Sequence, residues 1–425
     1  MKKISLNGLD MDYYKDTLNN GLEIYMLPYE NKKNYFISFA TKFGSEVVEF
    51  TDEKKEKHKL PLGIAHFLEH KMFEQESGED PFAFFSKSGT GCNASTSFDN
   101  TQYICYGTKN FEANLEYLIS YVNDPYYTDG NVKKEKKIIA EEIKMYEDMP
   151  DIQLEMSLRK NIFHNHPRRI DIAGTVEEIN KITKEDLYTC YSNFYIPNNM
   201  FILIVGNFNK DRALEIIRKK LEYKKMQTPP QIEKIVEPSD IKEPQTKITS
   251  NIEIPKLAYG LKVPTKDLKL KDLDLDLYLN LLTTIVFGAS SEFRERVRNE
   301  KMLNGIHTEW ESLDGFKVFY LMASTKEPAR LEEEIKSELE NLSITENAFN
   351  RIKKVWIANE IRMIDNIDAT VGNLYDDILK YGDIIPNRIE KIRSMKLKTL
   401  QELIKKIDFN NISIVQMLPK QSENI

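Results

Sequence analysis

The chain is poor in cysteine, and this shortage already narrows the classes of protein to which it can belong. Only three cysteines occur among 425 residues, and no two of them form a Cys-x-x-Cys pair. A disulfide framework and a thiolate zinc site are therefore not indicated. We expect Cys92, Cys105 and Cys190 to be small, buried hydrophobic side chains.

Long apolar runs and an excess of positive charge are also missing. The longest apolar run, Met200 to Val205, is far shorter than the roughly 20 residues that span a bilayer, and the first residues contain no apolar signal core. With 60 Lys and Arg against 67 Asp and Glu, the net charge of −7 gives no footprint for nucleic acid or anionic lipid. We expect a soluble, cytoplasmic protein that binds neither nucleic acid nor membrane.

The pattern of predicted elements occurs twice along the chain. Segment 227–246 is charged and rich in proline, which predicts a linker between an N-terminal domain at 1–226 and a C-terminal domain at 247–425. Both domains close with a helix, an Asn-Asn turn and an apolar strand, at 182–208 and 394–419. This repetition predicts an α+β fold of two structurally related α/β sandwich halves, each with an antiparallel-rich sheet covered by helices.

Periodicity places the elements that matter most in the first half. Aromatic and β-branched residues predict two strands that pair as a hairpin, at Gly21–Pro28 and Tyr35–Phe43. Helices are predicted at about Leu62–Glu74 and Val132–Asp148.

Histidine is the scarce residue that carries chemistry, because two of only six histidines stand four positions apart around a glutamate. On a helix, His66, Glu69 and His70 share one face. The surrounding positions are apolar, so this helix is buried and its polar face needs a partner. Neutral imidazole nitrogens bind Zn²⁺, which predicts a zinc site. The alternative is two incidental core histidines beside a salt-bridged glutamate.

A catalytic zinc takes three protein ligands and a water, so a third ligand must come from elsewhere in the chain. In the second helix, Glu135 and Glu142 lie on the apolar stripe centred on Ile139, whereas Glu141 lies nearly opposite and should be solvated. Carboxylates on an apolar face require a positive partner. We therefore predict Glu142 as the third ligand and Glu135 as an outer group that orients a ligand or the water.

Two other interpretations of these residues stay open. The glutamates can pair with nearby lysines instead of a metal. His164 and His166 are rival ligands, although their Asn-x-Pro context favours a loop.

This set of residue types predicts metal-assisted amide hydrolysis. Zinc lowers the pKa of a bound water and polarises a carbonyl, while Glu69 takes the proton of the water and passes it to the leaving amine. A non-peptide amide is an alternative substrate for the same ligands.

The sequence H-F-L-E-H, followed 72 residues later by the glutamate of EKKIIAEEIKMYED, resembles the inverted zinc motif of the inverzincins. The chain resembles the pitrilysin, insulinase and mitochondrial-processing-peptidase family, also in GCNASTSFDNTQYICYG, IDIAGTVEEINKITKEDL and YIPNNMFILIVGNF. Its length and the phrase HFLEHKMFE look most like short bacterial members, particularly those of Gram-positive bacteria.

The resemblance implies one zinc ion per chain, held by His66, His70 and Glu142, with Glu69 as general base and Glu135 as supporting acid. It further implies that Asn93 and Ala94 lie on the edge strand where substrates add as a β-strand. The implied fold is half of a clam-shell chamber, which a second chain closes.

One departure from the family pattern concerns the second half. Active members usually carry an Arg and, seven residues later, a Tyr that reach the substrate across the chamber. Here the Arg position is Arg298, but the Tyr position is Gly305. We therefore expect a dimer, in particular a heterodimer whose related partner supplies the Arg and Tyr.

Two functions from different classes follow. The leading one is a zinc endopeptidase acting on peptides or unfolded leader segments. The alternative is a non-catalytic structural or binding subunit that zinc merely stabilises, although such sites are normally closed by four protein ligands.

Overall fold

The computed structural model of the chain describes residues 1–420, which form two compact units. The last five residues of the predicted C-terminal domain, 421–425, lie outside this range. The first unit consists of Met1–Lys144, Asp171–Lys234 and Ile361–Asn387. The second consists of Met145–Ile170, Ile235–Glu360 and the residues from Arg388 onward.

Strands make up three sheets in the described range. In chain order they are β1 (Lys2–Leu6), β2 (Met11–Thr17), β3 (Glu23–Pro28), β4 (Tyr35–Thr41), β5 (Glu49–Thr51), β6 (Lys57–Lys59), β7 (Gly91–Thr96), β8 (Thr101–Gly107), β9 (Met200–Gly206), β10 (Gln231–Ile232), β11 (Gln245–Ser250), β12 (Lys256–Pro264), β13 (Leu303–Leu313), β14 (Phe316–Thr325) and β15 (Ile412–Pro419).

Helices cover these sheets. In chain order they are α1 (Ile64–Met72), α2 (Pro81–Ser86), α3 (Phe111–Val122), α4 (Asp129–Glu147), α5 (Pro150–Ile162), α6 (Val176–Ile179), α7 (Lys184–Phe194), α8 (Lys210–Leu221), α9 (Asp272–Phe287), α10 (Glu292–Asn299), α11 (Pro328–Glu340), α12 (Glu346–Met363), α13 (Ile367–Tyr381), α14 (Arg388–Ser394) and α15 (Leu397–Ile404).

The predicted hairpin of β3 and β4 is wrong, although both strands form. The sheet of the first unit has the order β1-β2-β3-β9-β4-β8-β7, so β9 lies between them, parallel to β3 and antiparallel to β4. Every residue of β9 is buried. A strand that is apolar on both faces is most stable in the middle of a sheet, where both of its edges are paired.

The second unit repeats the topology of the first. Its sheet has the order β11-β15-β12-β14-β13, in which the first pair is parallel and the next three are antiparallel. The segment β3-β9-β4-β8-β7 has the same sequence of pairings and the same order along the chain. This correspondence confirms the predicted α+β fold of two related halves.

One face of the seven-stranded sheet and one face of the five-stranded sheet are each covered by a helix that lies, in sequence, on the other side of the predicted domain boundary. In the first unit, α13 packs against β9 and β4. In the second unit, α5 packs against β12 and β15, and Gly260 gives room for Ile162, since a Cβ there would lie 2.5 Å from its Cδ1. The predicted domains 1–226 and 247–425 are contiguous, whereas in the structure each unit also takes in a helical segment from beyond that division.

One helical stretch in residues 1–420, Asp272–Asn299, is long and apolar enough by composition to cross a membrane. Core helices of soluble proteins pass the same test, and 61% of its most apolar window is buried within the protein. It is therefore weak evidence for a membrane span.

The start of α1 is fixed by a close approach of two backbone segments. Gly63 precedes the helix with φ +85°, and a Cβ on it would lie 2.2 Å from the carbonyl oxygen of Ala173. The approach is mutual, because a Cβ on Gly174 would lie 2.5 Å from the carbonyl oxygen of Leu62. Only glycine fits at both positions, so the entry angle of α1 depends on them.

We predict that Gly63→Ala lowers the free energy of unfolding by about 3 kcal/mol. The left-handed backbone accounts for about 1–2 kcal/mol and the overlap with Ala173 for the rest. Gly78→Ala is the matched control, since Gly78 has φ +73° but open space around it, and it should lose only the backbone part. Urea denaturation measures both; equal losses would contradict the steric explanation.

Candidate metal centre

Helix α1 carries two histidines and a glutamate on a buried segment. Eight of its nine residues are buried, and the exception is His70, whose side chain is 26% exposed. Its buried polar side chains, among them His66 and Glu69, cannot rely on bulk water. The rings of His66 and His70 lie with their centroids 4.6 Å apart, as the four-residue spacing predicts.

Helix α4 brings a carboxylate to these two rings. Glu142 Oε1 lies 3.9 Å from His66 Nε2, and Glu142 Oε2 lies 3.5 Å from His70 Nε2. The ligand atoms of the three residues all lie within 4.8 Å of one another. Glu141, the next residue, points to solvent, with 74% of its side chain exposed.

The rival histidines belong to the second unit. His164 Nε2 lies 3.7 Å from Asp240 Oδ2, and His166 Nδ1 accepts a hydrogen bond from the backbone N–H of Arg168. They are not members of the group formed by His66, His70 and Glu142.

The three-residue group fits the requirements of zinc. Nitrogen and oxygen ligands about 2.0–2.1 Å from a tetrahedral zinc lie about 3.3 Å from each other. Glu142 lies 3.5 and 3.9 Å from the two imidazole nitrogens, so a small approach of the side chains would bring it to that separation. Burial, followed by the positive charge of His70, lowers the pKa of His66 to about 4. His66 is therefore neutral at pH 7, which is the form that binds a metal.

A second carboxylate orients His70. Glu135 is 8% exposed, and its Oε1 lies 3.1 Å from His70 Nδ1. Burial opposes both charges, but the contact raises the pKa of His70 and lowers that of Glu135, which is also near the ammonium of Lys71. A hydrogen bond at Nδ1 leaves Nε2 for Glu142 and a metal.

Glu69 is held from the opposite side by β7, the edge strand of the first sheet. The Thr96 hydroxyl donates a hydrogen bond of 2.6 Å to Glu69 Oε2. Burial raises the pKa of Glu69, and the bond from Thr96 partly offsets that rise. Glu69 stands beside the three-residue group without belonging to it.

Two of the predicted substrate-binding residues lie on this edge strand. Asn93 is exposed and Ala94 is half-buried, and Asn93 Oδ1 accepts a hydrogen bond of 2.9 Å from the Ala94 N–H. Arg298 is exposed on α10 in the second unit, and Gly305 is exposed on β13, the edge strand of the second sheet.

Two residues of the site, Thr96 and Lys71, are not among those predicted from the sequence. Lys71 follows His70 and is fully buried. A lysine inside the apolar run of α1 was the available signal. Thr96 gave no signal, because its contact depends on how β7 lies against α1.

The site combines two histidines and a glutamate on one helix with a glutamate from a second helix. This arrangement is typical of a class of metallopeptidases. Residues 54–176 match the family described as "Insulinase (Peptidase family M16)", and residues 181–355 match "Peptidase M16 inactive domain". The chain belongs to peptidase family M16.

Similar proteins cover the whole chain. A zinc protease of Bacillus subtilis (strain 168), YmfH, is 34% identical over 428 residues, which are 99% of this chain and 100% of that protein. The crystal structure of an M16-like peptidase from Alicyclobacillus acidocaldarius is 30% identical, with a TM-score of 0.91 over 98% of this chain and 100% of that one.

The likeness to pitrilysin concerns the fold alone. That crystal structure is 14% identical, with a TM-score of 0.77, and the match covers 100% of this chain but 47% of the pitrilysin chain. This chain therefore has the fold of about half of pitrilysin, which confirms the predicted two-domain half of the clam-shell fold.

We predict that Glu142→Gln weakens zinc binding by more than the roughly 10–100-fold typical of an outer-shell change, because it removes the anionic member of the group. Glu141→Gln is the matched control, one residue away on the solvent side. Competition with a chromophoric chelator measures both affinities. Equal affinities for the two variants would exclude Glu142 as a ligand.

Proposed function

We propose that the chain is a zinc-dependent endopeptidase that hydrolyses peptides or unfolded leader segments. The observation that carries this proposal is a three-residue metal-binding group beside a buried carboxylate that is not part of it. Such an open site, with a base next to it, is typical of catalytic zinc. The names of the zinc-protease relatives support the same activity.

His66, His70 and Glu142 would hold one zinc ion per chain. When bound, zinc supplies a Lewis acid that makes a water more acidic and polarises a peptide carbonyl. Glu135 keeps the Nε2 of His70 turned towards Glu142 through its bond to Nδ1.

Glu69 is the general base. Because the Thr96 hydroxyl donates to Oε2, we assign Oε1 as the oxygen that takes the proton from the attacking water. Glu69 then gives this proton to the amine that leaves when the peptide bond breaks. Thr96 keeps the carboxylate oriented while the proton moves.

The substrate adds to the open edge of β7 as a further strand. Main-chain hydrogen bonds give affinity with little demand on sequence. The Asn93 side chain covers the Ala94 N–H, so it must swing aside when a peptide takes its place. β7 also carries Thr96, which brings a peptide on this edge close to Glu69.

The second half supports the proposal that the working enzyme is a heterodimer. Gly305 stands at the position where the resemblance implies a substrate-binding Tyr, and the chain matches about half of pitrilysin. We propose that Arg298 takes part in substrate binding and that a related chain supplies the missing clamp.

A non-catalytic subunit is the second candidate. The match of residues 181–355 to the family's inactive domain favours it. Three protein ligands, however, leave a fourth position open, whereas a purely structural zinc is normally closed by four. The first unit thus favours catalysis.

We predict that Glu69→Gln lowers kcat by about 10²–10⁴-fold while zinc content is unchanged, because the amide cannot accept the proton. Glu76→Gln, an exposed glutamate just after the same helix, should leave both unchanged. A fluorogenic-peptide assay with a chelator control, together with metal analysis, measures the two effects. Full turnover by Glu69→Gln would exclude this mechanism.

We also predict that the purified chain alone hydrolyses peptides slowly and gains activity with a co-expressed related chain. The physical reason is that Gly305 offers the substrate no side chain. Peptide hydrolysis with and without the second chain tests this. Full activity as a homodimer would overturn the heterodimer proposal but not the peptidase proposal.

A further inference from the structure

Lys71 is a buried cation directly beside the candidate metal centre. It follows His70 on α1, and its side chain has no exposed surface. A buried ammonium is costly unless carboxylates compensate it, and a second cation next to a metal site adds repulsion. A lysine at this position therefore needs a reason that outweighs both costs.

The partners of Lys71 supply that reason. Its ammonium forms ion pairs with Glu74, three residues on, and with Glu135 Oε2, at 3.7 Å. The other oxygen of Glu135, Oε1, lies 3.1 Å from His70 Nδ1. The two oxygens of Glu135 are thus divided between Lys71 and His70.

We propose that Lys71 is a positioning residue that fixes the Glu135 carboxylate, and through it the ring and tautomer of His70. This inference rests on the proposed zinc site. The ion pair of Oε2 with Lys71 opposes rotation of the carboxylate away from the imidazole, so Oε1 stays in place to accept the proton of the Nδ1–H tautomer, and Nε2 faces Glu142. The ammonium of Lys71 pairs with Glu74 and Glu135, neither of which belongs to the three-residue group.

The two histidine rings are oriented by different contacts at their Nδ1 atoms. His66 Nδ1 is buried and has no hydrogen-bond partner among residues 1–420. On its Nδ1 side, packing sets the direction of that ring, since its neighbours Ala65 and Phe67 on α1 are fully buried; on its Nε2 side the ring faces Glu142. The series of contacts from Lys71 through Glu135 to His70 therefore orients the His70 ring from its Nδ1 side, where His66 has no such polar partner among residues 1–420.

The test is a double-mutant cycle read as zinc affinity, not as activity. Lys71→Met keeps the apolar stem and removes the charge, and Glu135→Gln removes the carboxylate. Each single variant is expected to bind zinc about 10–100-fold more weakly than the wild type, measured by competition with a chromophoric chelator. Because Lys71 acts through Glu135, the double variant should be no weaker than Glu135→Gln alone.

Lys262→Met is the matched control for loss of a buried lysine. Lys262 has no exposed side-chain surface and pairs with Glu237 at 2.7 Å in the second unit. The Lys262→Met variant should be less stable than the wild type but bind zinc with unchanged affinity. If Lys262→Met weakened zinc binding as much as Lys71→Met does, the positioning role of Lys71 would be overturned.

The remaining outcomes separate the inference from the proposed function. A wild type that binds no zinc would refute the zinc site itself. A wild type that binds zinc, with a Lys71→Met variant that binds it equally well or more tightly, would refute only the positioning role. If Lys71→Met does not fold by circular dichroism, Lys71→Gln takes its place: weaker binding supports the inference, and wild-type affinity overturns it.

Discussion

The hydrogen bond between His70 and Glu135 is the contact on which the candidate site depends, because it joins the polar faces of α1 and α4, whose apolar residues belong to the core of the first unit. Neither helix could bury its charges alone. Where the two faces meet, Glu142 lies within reach of both imidazoles, and Lys71 forms an ion pair with Glu135. The geometry of the site therefore depends on how α1 packs against α4, and a change in that packing should displace the site residues.

The site residues that lie on helices could be predicted from sequence, because the period of 3.6 residues determines which side chains share one face of a helix. This is why His66, Glu69 and His70, and on the other helix Glu135 and Glu142, lie where expected. The position of β9 could not be predicted, because the choice of a strand's partners depends on the whole sheet and not on the strand's own pattern. Thr96 was missed for the same reason.

The two sheets share a topology but not a chemistry. In both units the segment between the second and third strands of the repeated motif includes helices: α1 and α2 in the first, α9 and α10 in the second. α1 buries a histidine, a glutamate and a lysine among apolar residues, whereas α9 buries mainly leucine and other apolar side chains. The same pairing pattern thus supports a polar helix at this position in one unit and a mainly apolar helix in the other, so the fold does not itself specify a metal site.

The exchanged helices have a consequence for how the protein comes into being. A ribosome delivers α13 only after most of the second unit has emerged, so until then Tyr25, Phe201 and their neighbours on one face of the first sheet stay uncovered. The first unit therefore cannot be completed until α13 has been synthesised, and one apolar face of its sheet stays exposed until then. A fragment that ends at the linker would keep that face bare permanently and would be prone to aggregate.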